Sequence, residues 1–89
     1  MKNFKDMLQM VQDQDVVVCR CSSGMNVAYE PAHFNGLTAN GNIKMVTESG
    51  AKFQIKDQYG VATLVGKAKD CFIKLASDVN DNYFKVNVL

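Results

Sequence analysis

The sequence predicts a single small α+β domain over residues 1–89. Its parts are an N-terminal helix, a mostly antiparallel sheet of about four to six short strands, a second amphipathic helix packed on the sheet, and a C-terminal strand. Three observations predict this class. Apolar residues recur at helical spacing near the start of the chain and again after Gly60. Between those stretches, β-branched runs and strict alternation mark strands. The turn-forming pairs Asn40-Gly41 and Ser49-Gly50 fall between the alternating stretches.

Phe4, Met7, Leu8 and Val11 occupy one face of the first helix, which should end between Gln12 and Asp15. Asn3 suits its N-cap, and Asp6 falls in the first turn, where negative charge is favoured. Val16, Val17 and Val18 are β-branched and open a strand through Cys21, with valine on both faces as in an interior strand. Residues 25–30 predict a second strand after a turn at Ser22-Ser23-Gly24, with Pro31 as its exit. Asn40-Gly41 predicts a two-residue type I′ hairpin turn. The next two strands, Asn42 to Thr47 and Ala51 to Asp57, would place Ile43, Met45, Phe53 and Ile55 on one face. Lys44, Lys52, Gln54 and Lys56 would occupy the other. Ala68, Cys71, Phe72, Leu75, Ala76 and Val79 keep a helical period, so Lys67 to Val79 is predicted as the second helix. The preceding residues 60–65 fit either a strand or the start of that helix. Phe84, Val86 and Val88 share one side of the final strand.

Composition narrows the function classes. An 89-residue chain buries only roughly 60–65% of the surface its unfolded form exposes, which leaves little volume for an enclosed active site. The formal net charge is +1, and Arg20 is the sole arginine. Both weigh against sequence-specific nucleic-acid recognition, which draws on Arg and Lys for phosphates and base edges. No apolar run approaches the ~18–20 residues of a membrane span. Asp6 and Gln9 interrupt any signal-peptide core. A reducing cytoplasm is the expected location, since an odd number of cysteines cannot all pair within one chain.

The chemical candidates are Cys19, Cys21, Cys71 and His33. On a strand Cys19 and Cys21 share a face, as a metal clip requires, and Cys71 with His33 could complete a tetrahedral site. The extended spacing opposes it, because Cys-x-Cys on a strand holds its sulfurs roughly 7 Å apart. The expectation is that the cysteines fill the core where the first strand meets the second helix. No metal and no cofactor is predicted. Gly66-Lys67-Ala68 lacks the spacing of a phosphate-binding loop. The acids scatter over turns and helix ends, where capping explains them.

What remains is a surface. Lys44, Lys52 and Lys56 form an outward stripe, with Glu48, Asp57 and Asp70 expected to oppose it. His33 and Phe34 lie in the preceding segment, the Phe34 ring either tucked at the core edge or anchoring a partner. The expected function is non-enzymatic binding of a protein partner, one with an acidic surface if the lysine stripe is used, with self-association left open. The α+β layout is similar to that of compact phage and mobile-element products that block host machines, such as anti-CRISPR inhibitors. A weak nucleic-acid binder using the lysine stripe is the alternative. A metal-binding regulator or small enzyme built on the four Cys and His residues comes third.

Overall fold

The computed structural model describes residues 3–21, 29–80 and 82–88. It is a closed seven-stranded barrel with one helix, not an open sheet between two helices. The order is α1 (Phe4–Asp13), β1 (Val16–Cys21), β2 (Glu30–Leu37), β3 (Ile43–Thr47), β4 (Lys52–Gln58), β5 (Val61–Val65), β6 (Asp70–Leu75) and β7 (Phe84–Val88). Around the barrel the strands run β1-β2-β3-β4-β5-β7-β6 and return to β1. Every pairing is antiparallel except β5 with β7.

The predicted second helix is the main correction. Residues 70–75 alternate inward Cys71 and Ile73, both 0% exposed, with half-buried Phe72 and Lys74. That is a period of two, and β6 pairs along its whole length with β1, from Cys21↔Asp70 to Val16↔Leu75. Gly66 has φ +122, a left-handed conformation that ends β5 and cannot continue a helix. The chain then turns out of β6 through the Asp78 amide on the Leu75 carbonyl and the Asn80 amide on Asp78 Oδ1.

Two smaller corrections concern β2 and its hairpin. Pro31 lies inside β2 opposite Val17 rather than at a strand exit. Its carbonyl accepts from the Glu48 amide, so its missing amide faces the β3 side, just past the last pair of that ladder, Ala32↔Thr47. The predicted strand over 25–30 and the turn at 22–24 fall outside the described residues, apart from Tyr29 and Glu30. The β2–β3 turn is a three-residue loop, not type I′. The Gly41 amide donates to the Thr38 carbonyl, the Asn42 amide donates to Thr38 Oγ1 at 3.0 Å, and only Gly41 has positive φ. Thr47 with Gly50 and Ala51 repeats the device between β3 and β4. The type I′ geometry occurs instead at Tyr59-Gly60, with φ 55 and 87 between the paired Gln58 and Val61.

Helix α1 begins at its predicted cap: the Asp6 amide donates to Asn3 Oδ1 at 2.8 Å. The Phe4 amide donates to the Gly60 carbonyl, tying the helix start to the β4–β5 turn. From there α1 packs on β5, β4 and β2, strands on opposite sides of the ring, so it crosses one end of the barrel. Met7, Met10 and Val11 enter the core below it. The core continues through Val16, Val18, Ile43, Met45, Phe53, Ile55, Leu64, Cys71, Ile73 and Val86. At the other end, where β1 finishes and β4 begins, Arg20 spans the opening with its guanidinium 4.8 Å from the Phe53 ring centroid. No helix among the described residues is long and apolar enough to cross a membrane.

Candidate binding flank and barrel mouth

Ladder register fixes the outer surface of β3 and β4. Ile43 pairs with Ile55 and Met45 with Phe53, all four buried and inward. Lys44 and Val46 must therefore face out, opposite Gln54 and Lys52. Across the sheet the outward rows read His33, Val46, Lys52, then Lys44, Gln54, Val65, then Lys56, Thr63, Asn87. The three lysines surround Gln54, each within roughly 5–8 Å of its neighbours by strand spacing. None of the outward residues of β3 and β4 is a carboxylate, while the first row continues past His33 to Asp15.

The acids expected to oppose the stripe lie off it. Glu48 is in the β3–β4 turn and Asp70 faces Cys21 in the β1–β6 ladder. Asp57 caps the β4–β5 turn, its Oδ1 accepting from the Gly60 amide at 2.7 Å. Glu30, at the start of β2, accepts from the Ser49 amide at 2.7 Å. The Ser49 side-chain and backbone hydrogen bonds hold its carboxyl below the usual range, with smaller help from Thr47 and the Arg20 charge.

His33 belongs to the outward row beside Val46, and it also lines a groove of about 310 Å³ with Asp13 and Asp15 at the end of α1. Phe34 pairs with Met45, so its ring points inward and packs half-buried against the core. It is a core-edge residue, not an exposed anchor.

Two depressions adjoin the lysine stripe. The smaller, about 170 Å³, is lined by Asn35, Lys44, Met45, Lys52, Phe53 and Gln54. The larger, about 410 Å³, is the barrel mouth, with Arg20, Lys52 and Lys67 around Phe53 and Leu64. They share Lys52 and Phe53, and among the described residues neither is lined by a carboxylate. The sequence marked Arg20 only as a lone arginine. Its place at the mouth follows from even-numbered β1 residues facing inward, with Arg20 one step beyond the core.

A second surface was also hidden by the helical reading. As a strand, β6 turns Phe72 and Lys74 outward. Phe72 meets Tyr83 edge-on at 4.8 Å, and Lys74 Nζ lies 5.6 Å from the Tyr29 ring centroid. Lys85 pairs with Phe72 on the same face. The alternation of Cys71, Phe72, Ile73 and Lys74 was the signal that could have found it.

The Cys₃His arrangement does not assemble. Cys71 points into the core from β6, whereas Cys19 lies on the outward side of β1, both buried. They lie on opposite faces of the sheet and against β6 rather than a helix. The Cys21 side chain is outside the described residues. His33 is on β2, where the adjoining β1 residue by register is Asp15, not a cysteine. Among the described residues no cluster of three or more His, Cys, Asp or Glu could hold a metal ion.

Compared with known proteins, the chain matches no family, no curated protein and no solved structure. The likeness to phage inhibitors rested on an α+β layout, and the closed barrel removes that basis.

Proposed function

We propose that the protein is a non-enzymatic binding module that forms a stoichiometric complex with an acidic protein surface, docked on the outer face of β3 and β4. One observation carries this reading: Lys44, Lys52 and Lys56 project from the outer face of β3 and β4, whose outward positions hold no carboxylate. A net charge of +1 conceals this segregation, since Asp6, Asp13 and Asp15 line grooves beside the helix instead. Lysines placed this way steer an acidic partner and raise the association rate more than they hold the complex. Lys44 and Lys56 are half-buried, with their stems along the sheet and their ammonium groups free to reach water. Three cysteines suit a reducing compartment such as the cytoplasm.

A weak nucleic-acid contact is the second reading. One observation favours it: Phe72, Tyr83 and Tyr29 stand among Lys74 and Lys85 on the β6–β7 face. Rings interleaved with cations are what a single strand stacks on.

The test is affinity capture from nuclease-treated native lysate with wild type and the triple variant K44E/K52E/K56E. The expected result is a nuclease-resistant, salt-sensitive complex with an acidic protein, lost in the triple variant while far-UV circular dichroism is unchanged. Undiminished capture by the folded triple variant would refute the flank. Release by nuclease would favour the second reading.

A further inference from the structure

We propose that the barrel mouth is an anchor pocket for an acidic peptide segment with an apolar residue at its centre, and that Arg20 is the residue that takes its carboxylate. This rests on the reading of the lysine flank as the docking face, and it names what the partner inserts beside that flank. The mouth holds about 410 Å³, within the ~300–1,000 Å³ range of ligand clefts. Its apolar contact is Val65, 40% exposed, with Phe53 and Leu64, 6% and 3% exposed, closing the bottom beneath it. Its rim is Arg20, Lys52 and Lys67, with no carboxylate in the lining among the described residues. An exposed valine within a cationic rim complements an aliphatic side chain flanked by carboxylates.

Arg20 differs from the flank lysines. It has the inward register of Val16 and Val18, so it reaches across the opening rather than away from the barrel. The Phe53 ring 4.8 Å away holds its guanidinium by a cation–π contact. A planar fork held in place loses less freedom on gripping a carboxylate than a free lysine does. The acid whose carboxyl feels the Arg20 charge, Glu30, has Oε1 on the Ser49 amide. A nucleotide base fits less well. Phe53 is nearly covered, and the most exposed rings, Tyr59 and Tyr83, lie at the helix end and on the approach to β7.

The experiment is a nuclear magnetic resonance titration of the ¹⁵N-labelled full chain. The probe is an acetylated, amidated pentapeptide, Glu-Asp-Leu-Asp-Glu. Its Gln-Asn-Leu-Asn-Gln analogue, inorganic phosphate and a hexathymidylate are titrated in parallel. The expected result is saturable shifts at the Arg20 side chain and at the Gly66, Lys67 and Ala68 amides. Affinity should be about tenfold weaker for the amide analogue and for R20Q, because a charge-assisted fork is lost. Lys67 is exposed, so K67Q and the amide analogue carry the test if R20Q does not fold. No saturable shift by about 10 mM peptide, unchanged affinity in folded R20Q or K67Q, or tighter binding of phosphate or hexathymidylate would each overturn the proposal. The variant K44E/K56E separates the two readings. It should leave peptide affinity within about twofold, since neither residue lines the mouth, while weakening capture of the whole partner. A silent mouth with a charge-sensitive flank defeats this inference alone. A charge-insensitive flank defeats the reading it rests on.

Discussion

Ile73 distinguishes the barrel from the helix that the sequence suggests. In a helix over 67–79 it would lie roughly 100° around from Phe72, on the polar side of the apolar face. In β6 it is 0% exposed, between Val18 of β1 and Phe84 of β7. Truncation to alanine at a fully buried isoleucine costs about 2–5 kcal/mol, the transfer term plus a cavity that a closed barrel cannot easily collapse. A chain of 89 residues has about 4–13 kcal/mol in total, so I73A removes a large share of it. I73V is the graded version, costing about 0.5–1.5 kcal/mol. Urea unfolding followed by far-UV circular dichroism is the assay. With a slope near 1 kcal/mol/M, I73V should lower the midpoint by about 0.5–1.5 M at constant slope, and I73A by more. Losses under about 0.5 kcal/mol for both variants are what an exposed site gives, and would refute the strand.

Tyr59 is 97% exposed with φ 55 at the first central position of its turn. Y59N should therefore stabilise the protein by roughly 0.5–1 kcal/mol, since asparagine tolerates the left-handed region better and no packing is lost. An unchanged or lower melting temperature would count against the type I′ assignment. Glu30 has a folded-state pKa below its unfolded value, so its contribution to stability is present above the unfolded pKa and lost as pH falls through the folded one. Carboxyl-carbon titration should show that depression, and S49A should shrink it by removing the hydroxyl. A Glu30 titration indifferent to S49A would contradict the assignment.

The parts of the fold legible in sequence are those whose signals are local. Asn3 caps α1 where a polar residue precedes the apolar period. The alternation in β3 and β4 assigns Ile43, Met45, Phe53 and Ile55 inward and the three lysines outward. The β6 error has a physical origin. A helical stripe through Cys71, Phe72 and Leu75 and a strand face through Cys71, Ile73 and Leu75 share two of three positions. Six residues cannot separate the periods, and only the partner strand decides. Asn40-Gly41 signals a hairpin without fixing its length. The Thr38 hydroxyl, accepting the Asn42 amide, accompanies the three-residue form. The parallel β5–β7 pairing joins residues far apart in sequence, and no local pattern announces it. The mouth was illegible for the same reason: Arg20, Phe53 and Lys67 meet only once the barrel closes.

The central claim is that an acidic protein docks on the carboxylate-free flank. Zero-length carbodiimide coupling of the purified complex tests it most directly, because it joins a lysine amine to a carboxylate only where the two touch. Mass spectrometry of the cross-linked peptides should place the bonds to partner Asp and Glu on Lys44, Lys52 and Lys56. Lys5 on the helix and Lys74 and Lys85 on the β6–β7 face should stay unmodified by the partner. Cross-links concentrated on those last three lysines, with the flank untouched, would contradict the account.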